Sequence, residues 1–408
     1  MQTRLSPQTL ESAIGREAEQ ILRSCVHCGF CTATCPTYQL LGDELDGPRG
    51  RIYQIKQLLE GTTPTDSLQQ HLDRCLSCRS CETTCPSGVN YSRLLEIGRE
   101  HLERIKPRTG MDSLRHQLLI KTLPYPKRFG ALLKLARAIK RLLPKRLRYT
   151  IPAKQWTGHW PEARHQRRML ILDGCVQPSL APAINFSTAR VLDQLGISLI
   201  RVPEAGCCGA VSLHLGANDA AKHFARCNID AWLPLLKTGA EALVITASGC
   251  GQTVKEYPQL LIDDAEYAKK ATIIAAATKD IGEVLLHEDL SQLSSGSAQH
   301  PPIAFHSPCT LQHGLGMQGV VEQLLLNLGY TLTTVDDAHL CCGSAGTYSL
   351  LQPDLSDRLR RNKLRNLQAG EPTLIATANI GCLNHLQAES RVPVKHWIEL
   401  LDHSLPPS

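Results

Sequence analysis

The chain lacks any run of apolar residues long enough to cross a lipid bilayer, which takes roughly 18–20 residues in a helix. Residues 1–20 read MQTRLSPQTLESAIGREAEQ and contain none of the basic, apolar and cleavage regions of a secretory signal peptide. We therefore expect a protein of the cytoplasm, or one attached to a membrane surface from that side. In such a reducing compartment, cysteines are metal ligands or redox groups more often than disulfides.

Aromatic residues are scarce, at 4% of the chain, whereas the hydrophobic content of 42% is ordinary for a globular protein. At 408 residues the chain is long enough for two or three domains with cores of their own. No hydrolytic constellation of nucleophile and base stands out. Histidines near the later cysteines are each expected to be loop or packing residues, namely His306, His313, His339 and His385.

Cysteine, by contrast, is abundant, with 17 residues in the chain. The run CVHCGFCTATCP at 25–36 recurs fifty residues later as CLSCRSCETTCP at 75–86. This is the ligand spacing of two-cluster bacterial ferredoxins, in which thiolates hold [4Fe–4S] clusters and the fourth cysteine of each run ligates the other cluster. Two complete runs at equal spacing disfavour a zinc site or a simple dithiol. The sequence therefore predicts two [4Fe–4S] clusters and electron transfer.

The residues around the two runs have helical patterns and no strand signals. Apolar residues recur at helical spacing in Arg51–Glu60, and further helices are predicted at Leu10–Leu22 and Tyr91–Arg104. We therefore expect a mainly helical ferredoxin-type domain over residues 1–104. A basic linker punctuated by proline is expected to follow at 105–165.

Positive charge is concentrated in that linker, although the whole chain has a net charge of only +6. Within it, Phe129–Leu143 predicts an amphipathic helix. One face of this helix carries the apolar residues Leu132, Leu135, Ile139 and Leu142, and the basic residues lie mostly elsewhere, at Lys134, Arg137, Lys140 and Arg141. Such a helix suits an anionic membrane surface, an acidic partner, or simple packing on the next domain. The sequence leaves these alternatives open.

From about residue 166 the chain repeats itself, with matching cysteines 134, 134 and 132 residues apart. Each copy has a leading cysteine, a Cys-Cys-Gly turn and a closing cysteine. These are Cys175, Cys207, Cys208 and Cys250 in the first copy, and Cys309, Cys341, Cys342 and Cys382 in the second. Strand-like runs such as Met169–Asp173 and Ile303–His306 alternate with helical patterns, which predicts parallel α/β units. The predicted fold class is thus α/β overall, with a helical ferredoxin domain followed by a duplicated α/β module at 166–298 and 299–408.

The duplicated module resembles the cysteine-rich CCG domain of the heterodisulfide reductase superfamily, which ends in Cys-x-x-Cys. Both copies depart from this pattern, because Thr253 and His385 stand where the family has its fifth cysteine. The departure argues against the unusual five-thiol cluster and leaves an ordinary [4Fe–4S] cluster, a vicinal dithiol or disulfide, and inert buried thiols as alternatives. His385 is a candidate replacement ligand. Cys227 has no counterpart in the repeat and is expected to be a buried, inert thiol.

One glycine-rich segment imitates a dinucleotide fingerprint. Gly314-x-Gly316-x-x-Gly319 has the right spacing, but the preceding strand is predicted to end near His306. The fingerprint belongs in the turn directly after a strand. We therefore predict a loop that leads into a helix, with no flavin or nicotinamide site.

The N-terminal part carries a more specific resemblance. The two runs, the segment GDELDGPRGR at 42–51 and the layout of the whole chain are similar to the iron–sulfur subunits of bacterial glycolate oxidase (glycolate dehydrogenase). The resemblance implies flavin-containing partner subunits that oxidise glycolate to glyoxylate, with D-lactate as a possible second substrate. This chain would pass the electrons to the respiratory quinone pool or another membrane acceptor, as a peripheral protein on the cytoplasmic face of the inner membrane. No catalytic residue, flavin chemistry or nucleic-acid partner is expected in this chain.

Carried over residue by residue, the resemblance also implies two ligand sets. One cluster would be held by Cys25, Cys28, Cys31 and Cys85, and the other by Cys35, Cys75, Cys78 and Cys81. Further iron–sulfur clusters are an option for the CCG cysteines. Arg74 and Arg79 flank the second run, and we expect their positive charge to raise the reduction potential of its cluster.

Alternative functions remain open at this stage. The iron–sulfur subunits of anaerobic glycerol-3-phosphate dehydrogenase and of lactate-oxidising systems share this layout. A thiol–disulfide reductase that uses the CCG cysteines belongs to a different class, and the loss of the fifth cysteine argues against it. A redox-sensing or structural iron–sulfur protein would leave the paired α/β repeats without a purpose.

Overall fold

The computed structural model describes residues 1–142, 151–293 and 300–403. The chain divides into two compact units, of which the first comprises Met1–Gln117 and His339–Lys363. The second comprises Leu118–Ala338 and Leu364–Ser408. The predicted domain boundaries near residues 104 and 165 remain predictions. The boundary between 298 and 299 lies outside the described residues, as does Leu143 at the end of the predicted basic helix.

The first unit is helical, and none of its described residues belongs to a named strand. Its helices are Pro7–Glu11, Ala13–Ser24, Phe30–Ala33, Pro36–Leu41, Pro48–Leu59, Asp66–Asp73, Ser80–Thr83, Tyr91–Ile105 and Tyr348–Leu351, with a 3-10 turn at Glu44–Asp46. The unit boundaries fall within the helices Gly110–Thr122 and Pro353–Gln368. The prediction of a mainly helical N-terminal domain is confirmed.

Local sequence signals explain where these helices begin and end. Pro36 and Pro48 each occupy a first-turn position, where a missing amide proton costs nothing. Asn90 caps Tyr91–Ile105 by accepting a hydrogen bond from the backbone of Arg93. The predicted helix at 10–22 is split because the Ser12 side chain caps a new helix by accepting from the amide of Gly15 at 2.9 Å.

The core of the first unit forms where Pro48–Leu59 packs against Tyr91–Ile105. Ile55 and Leu94 are fully buried in it, with exposed fractions of 0%. The two helices approach closely at Gly98, where an added Cβ would lie only 2.8 Å from Cγ1 of Ile55. A side chain at position 98 would therefore force the helices apart.

The second unit contains two parallel sheets. The first has four strands in the order β2-β1-β3-β4, and the second has three in the order β5-β6-β7. The strands are β1 (Arg167–Ile171), β2 (Ile197–Arg201), β3 (Leu243–Ile245), β4 (Thr278–Asp280), β5 (Ile303–His306), β6 (Leu374–Thr377) and β7 (Val394–His396). All neighbouring strands pair in parallel, which confirms the predicted α/β fold class.

Helices alternate with these strands. They are Pro126–Ala138, Gln177–Leu180, Ala183–Gln194, Ala210–His214, Asn218–Lys237, Ser248–Lys255, Tyr257–Leu260, Ala268–Ala277, Ile281–Leu285, Val320–Asn327, Ile380–Gln387 and Trp397–His403. Further turns lie at Lys140–Leu142 and Leu290–Leu293 (3-10) and at Thr310–Gly314 (π-helical). The π-helical turn follows β5 and ends at Gly314, the first glycine of the glycine-rich segment, and Gly319 caps Val320–Asn327 with a φ of 79°. Among the helices of the described residues, none has the length and apolar character to cross a membrane.

The strand ends of the two sheets meet inside the second unit. The Ser248 hydroxyl lies 2.7 Å from that of Thr310 and accepts a hydrogen bond from Asn379 at 3.2 Å. A ring nitrogen of the buried His396 lies 2.9 Å from the carbonyl oxygen of Thr246. These contacts hold together the segments that follow β3, β5 and β6. The same three segments carry Cys250, Cys309 and Cys382 of the repeat.

Replacing Gly98 by Ala should destabilise the first unit, because the added methyl group clashes with Ile55. Overpacking of this kind costs ~1–3 kcal/mol, which exceeds the roughly 1 kcal/mol that Ala gains over Gly within a helix. Thermal unfolding followed by circular dichroism measures the loss. In an Ile55→Ala background the clash is relieved, so Gly98→Ala should cost less there; equal costs in both backgrounds would contradict the packing described.

Candidate iron–sulfur sites

The loops of the two cysteine runs have the same backbone conformation. His27 and Gly29 of the first run have φ values of 56° and 87°, and Ser77 and Arg79 of the second have 52° and 61°. Left-handed conformations are unfavourable for residues other than glycine, and they concentrate at functional sites. A short helix follows each loop, at Phe30–Ala33 and Ser80–Thr83. Each loop therefore curls so that its first three thiols face one space.

Two neighbouring cavities lie against these loops, and each is lined by at least four thiols drawn from both runs. One is lined by Cys25, Cys28, Cys31 and Cys85. The other is lined by Cys35, Cys75, Cys78 and Cys81. Cys81 also reaches the first cavity. This grouping is compatible with the ligand sets implied by the resemblance, which stay a proposal.

The chemistry of these thiols fits a bound metal cluster. Burial, followed by the charge of Cys25, raises the pKa of Cys31 to about 11. Burial also raises the pKa of Cys81, with Cys78 and Cys75 adding to the effect. Thiolates are unfavourable in such a place unless positive charge joins them, and a coordinated metal ion deprotonates a thiol outright. Iron bound between these side chains would supply that charge.

A buried charge network lies beside the second cavity. Asp46, fully buried, contacts Arg51 at 3.3 Å, Arg74 at 2.8 Å and a ring nitrogen of His71 at 3.1 Å. Arg51 is 1% exposed and lines the same cavity as Cys75. Burial acts to lower the pKa of Arg51, but the nearby Cys75 and Asp46 raise it overall. The guanidinium is therefore a permanent positive charge beside the second thiol set.

Sequence reasoning named Arg74 and Arg79 but missed Arg51. Arg51 lies in the segment at 42–51 that carries the family resemblance, together with Asp46. The resemblance of that segment was the one feature of the sequence that pointed to Arg51. Its residues show no periodicity or ligand spacing that would reveal the role of an individual side chain. Arg79 lines the second cavity, whereas the positive charge of Arg74 is paired with the carboxylate of Asp46.

The four thiols of the first repeat lie together in the second unit. Cys207 contacts both Cys175 and Cys208, and Cys208 also contacts Cys250. Hydrogen bonds from Cys207 and Cys250 hold the pKa of Cys208 below its ordinary value, whereas that of Cys250 is raised. The backbone of Gly209 also points its amide at Cys207, with N and Sγ 3.4 Å apart. This arrangement offers four sulfur ligands and backbone donors at one site.

The thiols of the second repeat are divided between the units. Cys341 and Cys342 lie in the first unit, and Cys309 and Cys382 lie in the second. The Cys-Cys-Gly turn nevertheless repeats in detail, because the amide of Gly343 lies 3.4 Å from Sγ of Cys341. Glycine is required there: its φ is +90°, and an added Cβ would lie 2.8 Å from the carbonyl oxygen of Ser356.

The two positions that depart from the CCG pattern are both buried. The Thr253 hydroxyl donates to the carbonyl of Gly249 at 3.0 Å, and His385 is 8% exposed. The expectation of a buried Cys227 is wrong. Cys227 is exposed, because it lies on the solvent side of a long helix, 3.7 Å from a ring nitrogen of His223.

Comparison with known protein families agrees with this division of the chain. Residues 21–89 match the 4Fe-4S dicluster domain family. Residues 169–255 and 303–387 each match the family described as a cysteine-rich domain. The two thiol-lined cavities and the two copies of the repeat thus fall within the matched segments.

Individual relatives cover nearly the whole chain. The glycolate oxidase iron-sulfur subunit of Escherichia coli (strain K12) is 52% identical over 406 residues, which is 99% of each chain. A probable glycolate oxidase iron-sulfur subunit of Bacillus subtilis (strain 168) is 30% identical over 90% of this chain and 89% of its own. The crystal structure of a hypothetical protein from Helicobacter pylori aligns with a TM-score of 0.52 at 10% identity, over 97% of this chain and 73% of that one. That last similarity concerns the fold alone.

Single substitutions can test whether the fourth cysteine of each run ligates the cluster held by the other run. Cys85→Ala should remove the same EPR signal as Cys28→Ala, because both side chains line the first cavity. Cys78→Ala should remove a different signal, that of the second cavity. Iron analysis and EPR of the reduced protein provide the measurement, with Cys227→Ala as the control that leaves both signals intact. If Cys85→Ala and Cys78→Ala remove the same signal, Cys85 belongs with its own run and the proposed sharing of the fourth cysteine is refuted.

Proposed function

Since the chain belongs to the family of glycolate oxidase iron–sulfur subunits, we propose that it relays electrons from a flavin-containing catalytic partner to the membrane quinone pool. The partner would oxidise glycolate to glyoxylate, with D-lactate as a further candidate substrate. The observation that carries the proposal is the pair of adjoining cavities, each lined by four or more cysteine thiols. When bound there, two [4Fe–4S] clusters would each take up and release one electron at a time.

The residues of the first unit serve this role by controlling charge and solvent access. Arg51 and Arg74 share the single carboxylate of Asp46, which leaves positive charge next to the second cavity. Cys35 and Cys81 are both 7% exposed and Cys75 and Cys78 are half-buried, so none of the second thiol set is fully exposed to water. Burial and nearby charge are the means by which a protein sets the potential of such a centre.

The first thiol set lies nearer to solvent and suits contact with the catalytic partner. Cys28 is exposed, and its neighbours Val26 and Phe30 are 67% and 62% exposed. Large apolar side chains at these exposures are typical of interaction sites when they cluster. We assign this loop as the surface that receives the catalytic subunit, because it combines exposed apolar side chains with a cavity thiol.

Glycolate should bleach the visible absorbance of the chain only in the presence of its catalytic partner. The experiment co-purifies the subunits, adds glycolate under anaerobic conditions and compares D-lactate and glycerol-3-phosphate as alternative donors. Reduction by glycerol-3-phosphate but not by glycolate would overturn the assigned substrate. A Val26→Ser/Phe30→Ser variant should keep its iron and yet be reduced several-fold more slowly, whereas an unchanged rate would exclude the docking loop.

The basic helix is a second surface with a proposed role. In the helix Pro126–Ala138 and the turn after it, Leu132, Leu135 and Leu142 are 49%, 58% and 86% exposed. The predicted apolar face is thus open to solvent among the described residues, and Leu133 provides the buried contact instead. Lys134, on the same helix, adds positive charge. Exposed leucines beside basic residues suit an anionic membrane surface. We propose that this helix binds the subunit to such a surface.

Binding to vesicles tests that surface. The chain should sediment with vesicles that contain anionic lipid, less so at high salt, and weakly with neutral vesicles. Leu132→Ser/Leu135→Ser should reduce binding by about tenfold or more, since each leucine contributes on the order of 1.5 kcal/mol or more when buried. The matched control is Ile262→Ser/Ile273→Ser, which changes two residues that are 63% and 46% exposed in the same unit. Equal loss in both variants would count against membrane contact through this helix.

A further inference from the structure

A segment from late in the chain belongs to the first unit. His339–Lys363 is grouped with Met1–Gln117, and the side chain of Arg358 donates to the carbonyl of Leu40 at 2.8 Å. Tyr348 lies at the start of the short helix in this segment, and it is 6% exposed. Its buried hydroxyl has no hydrogen-bond partner among the described residues. An unpaired hydroxyl in such a position is unfavourable and requires an explanation.

The surroundings of Tyr348 indicate what its hydroxyl faces. The charged groups that act on it are Cys75, Arg51, Cys341 and Asp46, in decreasing order of effect. Burial, followed by Cys75, raises the pKa of Tyr348, so the hydroxyl keeps its proton and remains a donor. Cys75 and Arg51 both line the second cavity. The buried, unpaired hydroxyl of Tyr348 therefore lies within electrostatic reach of Cys75 in the second thiol set and of Cys341 in the Cys-Cys-Gly turn.

Tyr91, which lines the second cavity, shows how a buried tyrosine hydroxyl is used beside these thiols. Tyr91 is 4% exposed, and its hydroxyl donates to Sγ of Cys75 at 3.5 Å. The residue equivalent to Tyr348 in the first repeat is His214, which lies close enough to Cys208 to help lower the pKa of that thiol. The fifth residue after the Cys-Cys-Gly turn thus carries a polar side chain within electrostatic reach of a cysteine in both copies.

We propose that the hydroxyl of Tyr348 donates a hydrogen bond to a sulfur atom of the iron–sulfur centre held by Cys35, Cys75, Cys78 and Cys81. This inference rests on the proposed function, because it requires a centre in that cavity. Hydrogen bonds to the sulfurs stabilise the additional negative charge of the reduced state and so raise the reduction potential. Tyr348 is then a residue that sets the potential of the second centre from the segment that also carries Cys341.

The test is a Tyr348→Phe variant of the full chain, which removes the hydroxyl and leaves the ring. A redox titration monitored by EPR should show a lower midpoint for the second centre and an unchanged one for the first. We expect the ratio of reduced to oxidised centre at a fixed potential to fall by about tenfold, which corresponds to about 59 mV for a one-electron couple. Tyr91→Phe should shift the same signal, whereas Tyr53→Phe, at a residue that is 46% exposed, should shift neither.

The outcomes separate this inference from the proposed function. If both EPR signals are present and Tyr348→Phe leaves the second midpoint unchanged, the hydrogen bond is excluded and the electron-transfer role stands. A shift of the first centre instead would also overturn the inference. If the wild-type chain shows no iron–sulfur signal at all, the proposed function fails and the inference fails with it. Iron content and melting temperature, measured on each variant, confirm that the centres and the fold are retained.

Discussion

Sulfur ligands buried away from water need positive charge or hydrogen-bond donors nearby, and the first unit is organised around that need. Two arginines, Arg51 and Arg74, share the single carboxylate of Asp46, so positive charge is left over beside the second cavity. The helix that places Arg51 also carries Ile55 into the apolar core. Packing and electrostatics are therefore coupled, because the helix cannot shift in the core without moving the guanidinium.

Much of this arrangement could be predicted from local patterns. The spacing of the two runs predicted which thiols would share a loop, and apolar periodicity predicted the helices that pack beneath them. The strand Ile303–His306 was visible as a continuous apolar run because it is buried along its whole length. The strands Thr278–Asp280 and Val394–His396 were missed because each is three residues long and its middle residue is a lysine.

The features that escaped prediction depend on contacts between distant parts of the chain. Nothing near Arg51 in the sequence shows that it will be buried beside Cys75. Tyr348 is separated from Cys75 by most of the chain, and one aromatic residue carries no pattern. Thr253 and His385 could be recognised as departures from the CCG pattern, yet only the fold shows that both are buried. Spacing in sequence predicts local ligand sets, whereas the charges and donors around them come from tertiary structure.

The first unit is discontinuous, and this has a consequence for its biosynthesis. The ribosome completes both cysteine runs long before it reaches His339–Lys363, which belongs to the same unit. Contacts between segments so far apart form late, after the intervening chain has been made. During that interval the second thiol set is without Tyr348 and the peptide around it. Iron bound by these thiols during that interval would be held in more open surroundings than those of the finished protein.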